Sequence, residues 1–251
     1  MTTEHKITIT EWLKSYLKSS NMEGFIIGIS GGIDSAITST LCAETGYPIL
    51  AVSMPIHQNT LLHNLSKLQL EWLSKNYSNV TTLIVDLSEI FDVFKSTVSS
   101  SELGYANSKA RLRMTTLYGL ASPRKFLVAG TGNKIEDFGV GFFTKYGDGG
   151  VDLSPIADLT KTEVYALAKE LNIPKEIQEA PPTDGLWDDG RIDEDQLGAT
   201  YQELEWAMTY IDSNHDYSLT ERQQKSLNIF KKHRETNYHK MRSVPVCKLN
   251  K

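Results

Sequence analysis

Four short apolar runs, at 25–30, 49–54, 82–86 and 126–130, alternate with longer stretches of helical spacing. The helical stretches are 35–45, 60–75, 88–98 and 107–118, and another precedes the first run, where Trp12, Leu13, Tyr16 and Leu17 recur on one face. Such alternation predicts right-handed βαβ crossovers and an open, mostly parallel sheet with helices on both faces, a doubly wound α/β fold. Gly46 sits where the first crossover helix needs its C-cap, and Pro48 follows. With 251 residues, 40% of them apolar, the chain can bury one core of this size, read as a single domain over 1–251.

Past Gly130 the pattern changes. Residues 139–150 hold five glycines and three aromatics and read as a loop. Thr160 and Glu163 form a capping box that opens a helix over 160–171, ended by Asn172 and Pro174. Residues 180–195, rich in Pro, Gly and Asp, read as a long functional loop expected to close over a ligand. A second box, Thr220 with Gln223, starts a helix that runs to about Arg234.

A formal charge of −5 argues against a nucleic-acid carrier, which needs a basic face. Cys42 and Cys247 are far apart and in no metal-binding or redox spacing, as in a reduced cytoplasmic protein. No signal-peptide layout opens the chain, and no apolar run approaches the roughly 20 residues that span a bilayer. His57 and His63 lack chelating helical spacing, so no zinc is assigned. Trp187 and Trp206 read as packing residues.

The chemistry starts where the first strand ends. Gly28 and Ile29 lead into Ser30-Gly31-Gly32-Ile33-Asp34-Ser35, and a helix follows. Ligands of open parallel sheets bind beyond the carboxyl ends of strands. Paired glycines let backbone N–H groups converge, and the helix start adds about half a positive charge. Ser30 and Ser35 offer hydroxyls, and Asp34 can hold Mg²⁺. Neither a Gly-Lys-Ser/Thr loop nor a Gly-x-Gly-x-x-Gly turn stands here.

The Ser-Gly-Gly-x-Asp-Ser order resembles the N-type ATP pyrophosphatases, of adenine nucleotide alpha-hydrolase-like fold, which cleave ATP between the α- and β-phosphates. Three further stretches resemble the ammonia-dependent NAD synthetase branch of that family. They are Asn107 to Met114, Gly130 to Glu136 with Gly141 to Gly150, and Asp152 to Thr162. The Phe-Phe-Thr-Lys-Tyr-Gly-Asp-Gly-Gly string at 142–150 is the most specific.

The resemblance implies ATP-dependent amidation of deamido-NAD to NAD by ammonia, through an adenylated carboxylate, with release of AMP and pyrophosphate. It implies ATP contacts at Gly28 to Ser35, Thr131, Lys161 and Thr183, and Mg²⁺ on Asp34 and Glu136. It implies deamido-NAD contacts at Arg111, Lys145, Asp152, His239 and Lys240, and a homodimer. Asp148 is the expected base for ammonium, since a carboxylate can bind the cation and accept its proton. Taken alone, Arg111 reads as a solvated helix face, Glu136 as a surface carboxylate and His239 as a solvated tail histidine. Lys161 is the exception, because a cation in the first turn of a helix opposes the dipole, a misfit that nearby anionic phosphate would offset. Thr131-Gly-Asn-Lys-Ile-Glu136 departs from the Thr-Asp-His-Ala-x-Glu of many bacterial relatives, and 137–140 is one residue longer. Only about two dozen residues precede the first strand, too few for an amidotransferase domain, so free ammonia is the expected donor. A tRNA-modifying relative would need a basic platform. A non-catalytic nucleotide sensor would need neither two metal carboxylates nor the aromatic–glycine string.

Overall fold

The computed structural model describes residues 2–183, 185–187, 192–213 and 218–249. In chain order its elements are α1 (Thr2–Ser19), β1 (Gly24–Gly28), α2 (Ile33–Ala43), β2 (Ile49–Ser53), α3 (Thr60–Asn76), β3 (Val80–Ile84), α4 (Ser88–Thr97), α5 (Glu102–Ala121) and β4 (Phe126–Val128). A π-helix (Lys134–Val140) follows, then α6 (Lys161–Glu170), α7 (Lys175–Gln178), α8 (Asp193–Leu197), α9 (Tyr201–Asp212) and α10 (Glu221–Met241). The four strands run parallel in the order β3-β2-β1-β4.

Three of the apolar runs explain β1, β2 and β4; the run expected at 82–86 only overlaps β3, which lies two residues earlier at the sheet edge and is partly exposed. Strand neighbours point to opposite faces, so a strand covered on both sides must be apolar throughout. Phe25 and Ile27 of β1 join Ile49 and Ala51 of β2 and Leu127 of β4 in a core with α1, α2, α3 and α6. Ile26, Leu50, Val52 and Val128 point the other way, against α4 and α5. Each fully buried Ile, Leu or Phe contributes about 1.5–3 kcal/mol relative to exposure. A satellite core of Ile135, Val140, Leu197, Leu204, Leu227 and Phe230 joins the π-helix to α8, α9 and α10. Among the described residues, no helix is long and apolar enough to cross a membrane.

Strand order fixes where a ligand can sit. The chain steps from β1 outward to β2 and β3, then returns to place β4 on the other side of β1. Loops leaving β1 and β4 therefore diverge and open a crevice between them. The glycine-rich loop follows β1, and the 130–136 motif follows β4.

Some boundaries differ from the sequence reading. α5 starts at Glu102 rather than 107, because the Ser101 side chain caps it by accepting from Gly104 N, despite the glycine inside. α10 continues to Met241, so His239 and Lys240 lie in its last turn rather than in a tail. The start of the 139–150 segment is not loop: Gly139 and Val140 close the π-helix and are buried. Asp184 and residues 188–191 of the long 180–195 segment lie outside the described residues, and so does any closure they make.

Candidate active site

The β1–α2 loop is shaped from within. Ser35 Oγ donates to the Gly32 carbonyl at 2.9 Å and lies 3.1 Å from Ser30 Oγ, which accepts from Gly32 N at 3.1 Å. The two serines thus lock the turn itself. Gly32 is the N-cap of α2 and, among the described residues, no side chain caps that end, so the first N–H groups of the helix face the cleft. Residues Gly28 to Ser35, Thr131, Lys161 and Thr183 all line one cleft.

Three charged residues from three parts of the chain meet there. Lys161, the first residue of α6 and 3% exposed, donates to Asp34 Oδ2 at 2.6 Å and to Glu136 Oε1 at 3.1 Å. In this structure the anions that offset a lysine in a capped first turn are these two carboxylates, where phosphate was expected. The side chains of Asp34 and Glu136 are 18% and 15% exposed, so all three charges are largely withdrawn from water. Burial disfavours the Lys161 ammonium, but Asp34 and Glu136 outweigh it and move its pKa up. Burial also raises Asp34, and the Lys161 attraction only partly offsets it. At Glu136 burial is outweighed by Lys161 and by hydrogen bonds from Tyr201 and Asn133, so its carboxyl falls below the usual range.

Two neighbours missed by the sequence reading hold this trio. Asn133 is wholly buried; its Oδ1 accepts from Ile135 N and Glu136 N, and its Nδ2 donates to Asp34 Oδ1 at 3.2 Å. One amide thus starts the π-helix that carries Glu136 and tethers Asp34. Tyr201 donates to Glu136 Oε1 at 2.5 Å, and its ring lies 4.7 Å below Lys161 Nζ. Burial, Glu136 and Asp193 push its phenol far up, so it remains a donor.

Residues Lys134–Val140 form a π-helix, a turn often found at functional sites. The turn brings Asp137 to the boundary between the cleft and a second cavity. Gly132 leaves room for it: a Cβ there would lie 1.9 Å from Asp137 Oδ2. Burial, then the charges of Glu136, Asp148 and Asp34, raise Asp137 well above the carboxylate range. Asp148 opens to the same cleft and accepts from Thr144 N at 3.0 Å. The cleft walls strip its hydration, and that outweighs the Thr144 bond, so its carboxyl titrates at about 6.

The second cavity is lined by Tyr118, Phe138, Phe143 and Tyr146 and by the cations Lys145, Lys240 and Arg242. Arg111 Nε donates to Lys145 O at 3.2 Å, and Lys145 Nζ reaches His239 O at 3.5 Å. Lys240 donates to Phe143 O at 2.8 Å, over the ring of the same residue. Asp152 is turned away from these cations: its carboxylate accepts from Val128 N at 2.8 Å and Tyr118 OH at 2.9 Å. Tyr118 is the side chain that Asp152 presents to the cavity. Met114, Asp137 and Val151 line both spaces, so the two adjoin.

A family model described as NAD synthase matches residues 6–244. An NH3-dependent NAD+ synthetase of Finegoldia magna is 36% identical over 235 residues, covering 92% of this chain and 90% of the relative. The chain belongs to the NAD synthase family. A solved NMN synthetase of Francisella tularensis covers 99% of both chains with a TM-score of 0.86 at 30% identity. A solved NH3-dependent NAD synthetase of Campylobacter jejuni covers 99% of this chain and 100% of its own, with a TM-score of 0.81 at 24% identity, a likeness of fold.

Among the described residues, no group of three His, Cys, Asp or Glu is placed to share a metal. Asp34 and Glu136 are the pair that could. Their oxygens converge on one cation, Lys161 Nζ, and two carboxylates plus phosphate oxygens suit Mg²⁺.

Proposed function

We propose that this NAD synthase amidates deamido-NAD to NAD with ammonia, consuming ATP and releasing AMP and pyrophosphate. The meeting of Asp34, Glu136 and Lys161 at the mouth of the glycine-rich loop, beside an aromatic and cationic second cavity, carries the reading. The loop N–H groups, with Thr131 and Thr183, bind ATP. Asp34 and Glu136 hold Mg²⁺, which when bound neutralises charge on the phosphates. Arg111, Lys145, Asp152, His239 and Lys240 hold deamido-NAD, Asp152 through Tyr118. The nicotinate carboxylate oxygen attacks the α-phosphorus, and the bond to the β-phosphate oxygen breaks. Lys161 and the loop stabilise the departing pyrophosphate. Asp148 binds ammonium and accepts one of its protons. The freed nitrogen attacks the acyl carbon, the C–O bond to AMP breaks, and the remaining extra proton passes to solvent.

The 30% identical NMN synthetase neighbour, alike along its whole length, favours a second acceptor. Nicotinate mononucleotide carries the same carboxylate without the adenylyl half. Pyrophosphate release from ATP, Mg²⁺ and ammonium, with each nucleotide in turn and glutamine as the alternative donor, tests both. Release that ignores the acceptor overturns the reading, and the larger kcat/KM names the substrate.

The exposed side chains of Ile84, Ile90, Val93, Val98 and Leu103, at the free edge of the sheet and on α4 and α5, support a homodimer. Light scattering that gives the mass of one chain would refute it. A cytoplasmic site of action accords with two free cysteines, one of them exposed.

The position of Asp148 makes a pH prediction. Its ionised form is the base, so turnover falls as pH drops through about 6. Asp148→Asn lowers kcat/KM for ammonium by about 10²-fold or more and removes that acid limb. Stability moves differently. A raised carboxyl contributes stability that is full below its ordinary 3.8 and lost as pH rises through about 6. The neutral Asn variant is therefore at least as stable as the wild type at pH 8. A retained acid limb in the Asn variant rules Asp148 out.

A further inference from the structure

We propose that Tyr201 is the positioning residue of the metal-binding pair: its hydroxyl sets the orientation of Glu136, and its ring carries Lys161 between the carboxylates. The inference rests on the reading of Asp34 and Glu136 as Mg²⁺ ligands. Tyr201 is the first residue of α9 and 5% exposed. Its hydroxyl lies 2.5 Å from Glu136 Oε1 and 3.2 Å from Asp193 Oδ2. A phenol has one proton, and the shorter contact takes it, so Glu136 receives the full bond.

Glu136 thus has two donors on one oxygen, Tyr201 and Lys161. They differ in what ATP does to them. On the ATP reading, the Lys161 ammonium turns to the phosphate oxygens when nucleotide binds. Tyr201 is fixed by its helix and stays. Without it, Glu136 would have to find its metal-binding orientation unaided once Lys161 turned to the phosphates. The same oxygen also keeps a second lone pair, so a bond from Tyr201 leaves Glu136 able to ligate.

The anchoring of α9 makes Tyr201 suited to this role. A capping box of Thr200 and Glu203 fixes the helix start, and Tyr201 N donates to Glu194 Oε1 at 2.9 Å. Four residues along, Glu205 accepts from Thr162 N at 2.9 Å and Thr162 Oγ1 at 2.7 Å. Thr162 follows Lys161, so α9 grips both the lysine side chain, through the Tyr201 ring, and the first turn of its helix. One short helix therefore sets two of the three charged groups. Partners of this kind typically change metal affinity by about 10- to 100-fold.

The test is calorimetry on the full chain with α,β-methylene-ATP, in Mg²⁺ and in EDTA, for the wild type, Tyr201→Phe and Glu136→Gln. Phenylalanine keeps the ring under Lys161 and deletes only the hydroxyl. The expected result is a loss of about 10-fold in affinity in Mg²⁺, with the EDTA affinity unchanged and Tm lowered by the loss of one buried hydrogen bond. Equal affinity of Tyr201→Phe and wild type in Mg²⁺ overturns the proposal. So does an equal fall in affinity in Mg²⁺ and in EDTA, which is a packing defect alone. A Glu136→Gln chain that keeps the wild-type response to Mg²⁺ overturns the underlying metal reading instead, so the two failures are told apart.

Discussion

Replacing Lys161 with methionine is expected to lower stability at pH 7 to 8 by about 3 kcal/mol and to abolish turnover. Removing one member of a buried ion pair costs roughly 3–5 kcal/mol, because the remaining charges lose their compensation. Asp34 and Glu136 keep some access to the cleft, which places the loss near the lower end. At this chain length that is a fall in Tm of about 6–12 °C. The signature is its pH dependence. In the wild type Glu136 sits below its ordinary 4.5, so its contribution is present above 4.5 and lost as pH falls through the folded value. In the variant two carboxylates face each other without a cation, and both rise. Their contribution is then full in acid and lost as pH climbs, so Tm of the variant increases from pH 8 to pH 5 relative to the wild type. Magnesium ion alone should stabilise the variant more than the wild type, where the ammonium competes for the same oxygens. A deficit equal at both pH values, with no differential response to Mg²⁺, would contradict the assignment.

The parts of this molecule that were legible in the sequence are those whose physics is local. β1, β2 and β4 show as apolar runs because both faces of each are covered. Helix α6 shows because Thr160 and Glu163 are three residues apart and cap each other. The β1–α2 loop shows because the bonds among Ser30, Gly32 and Ser35 that shape its turn lie within six consecutive residues. Long-range contacts are invisible in this way. Lys161 and Asp34 are 127 positions apart, and only their juxtaposition turns an awkward helix-start lysine into the counter-ion of two carboxylates. Tyr201 lies 65 positions from Glu136, and although Thr200 and Glu203 mark the start of α9 locally, nothing local pairs that helix with Glu136. The π-helix was not legible in the sequence. Its glycines suggested a loop, but Gly139 packs beside Phe230 and Gly141 closes the helix with φ +66. The roles of Arg111, Lys145, His239 and Lys240 came from resemblance; Lys145 and Lys240 line the second cavity, and Arg111 and the His239 carbonyl bond to Lys145 outside its lining.

Gly31→Ala is expected to impair ATP binding as severely as any change in the loop that leaves the charges intact. Gly31 has φ +93, a conformation that costs a side-chain-bearing residue about 1–3 kcal/mol. Space is the larger obstacle. An added Cβ would lie 2.6 Å from the Leu62 carbonyl oxygen and 3.1 Å from Leu65 Cβ and Ser66 N. The closest of these atoms is backbone of α3, which cannot rotate aside as a side chain can. Either the loop lifts off α3 or the helix retreats, and both move the N–H groups that face the phosphates. A shift of about 1 Å at such a site costs about 10²-fold in rate. The expected result is a KM for ATP raised more than about 10-fold, kcat lowered by about 10²-fold, and a Tm lower by several degrees. Gly32→Ala provides the contrast. Gly32 has φ −88, and its Cβ would meet only Ser30 Oγ, at 3.4 Å. That variant should keep the wild-type Tm, with any loss confined to nucleotide affinity, because its methyl would face the cleft rather than α3. Equal Tm and ATP affinity for Gly31→Ala and the wild type would mean that α3 yields freely, and that the close loop–helix contact does not hold the phosphate cradle in place.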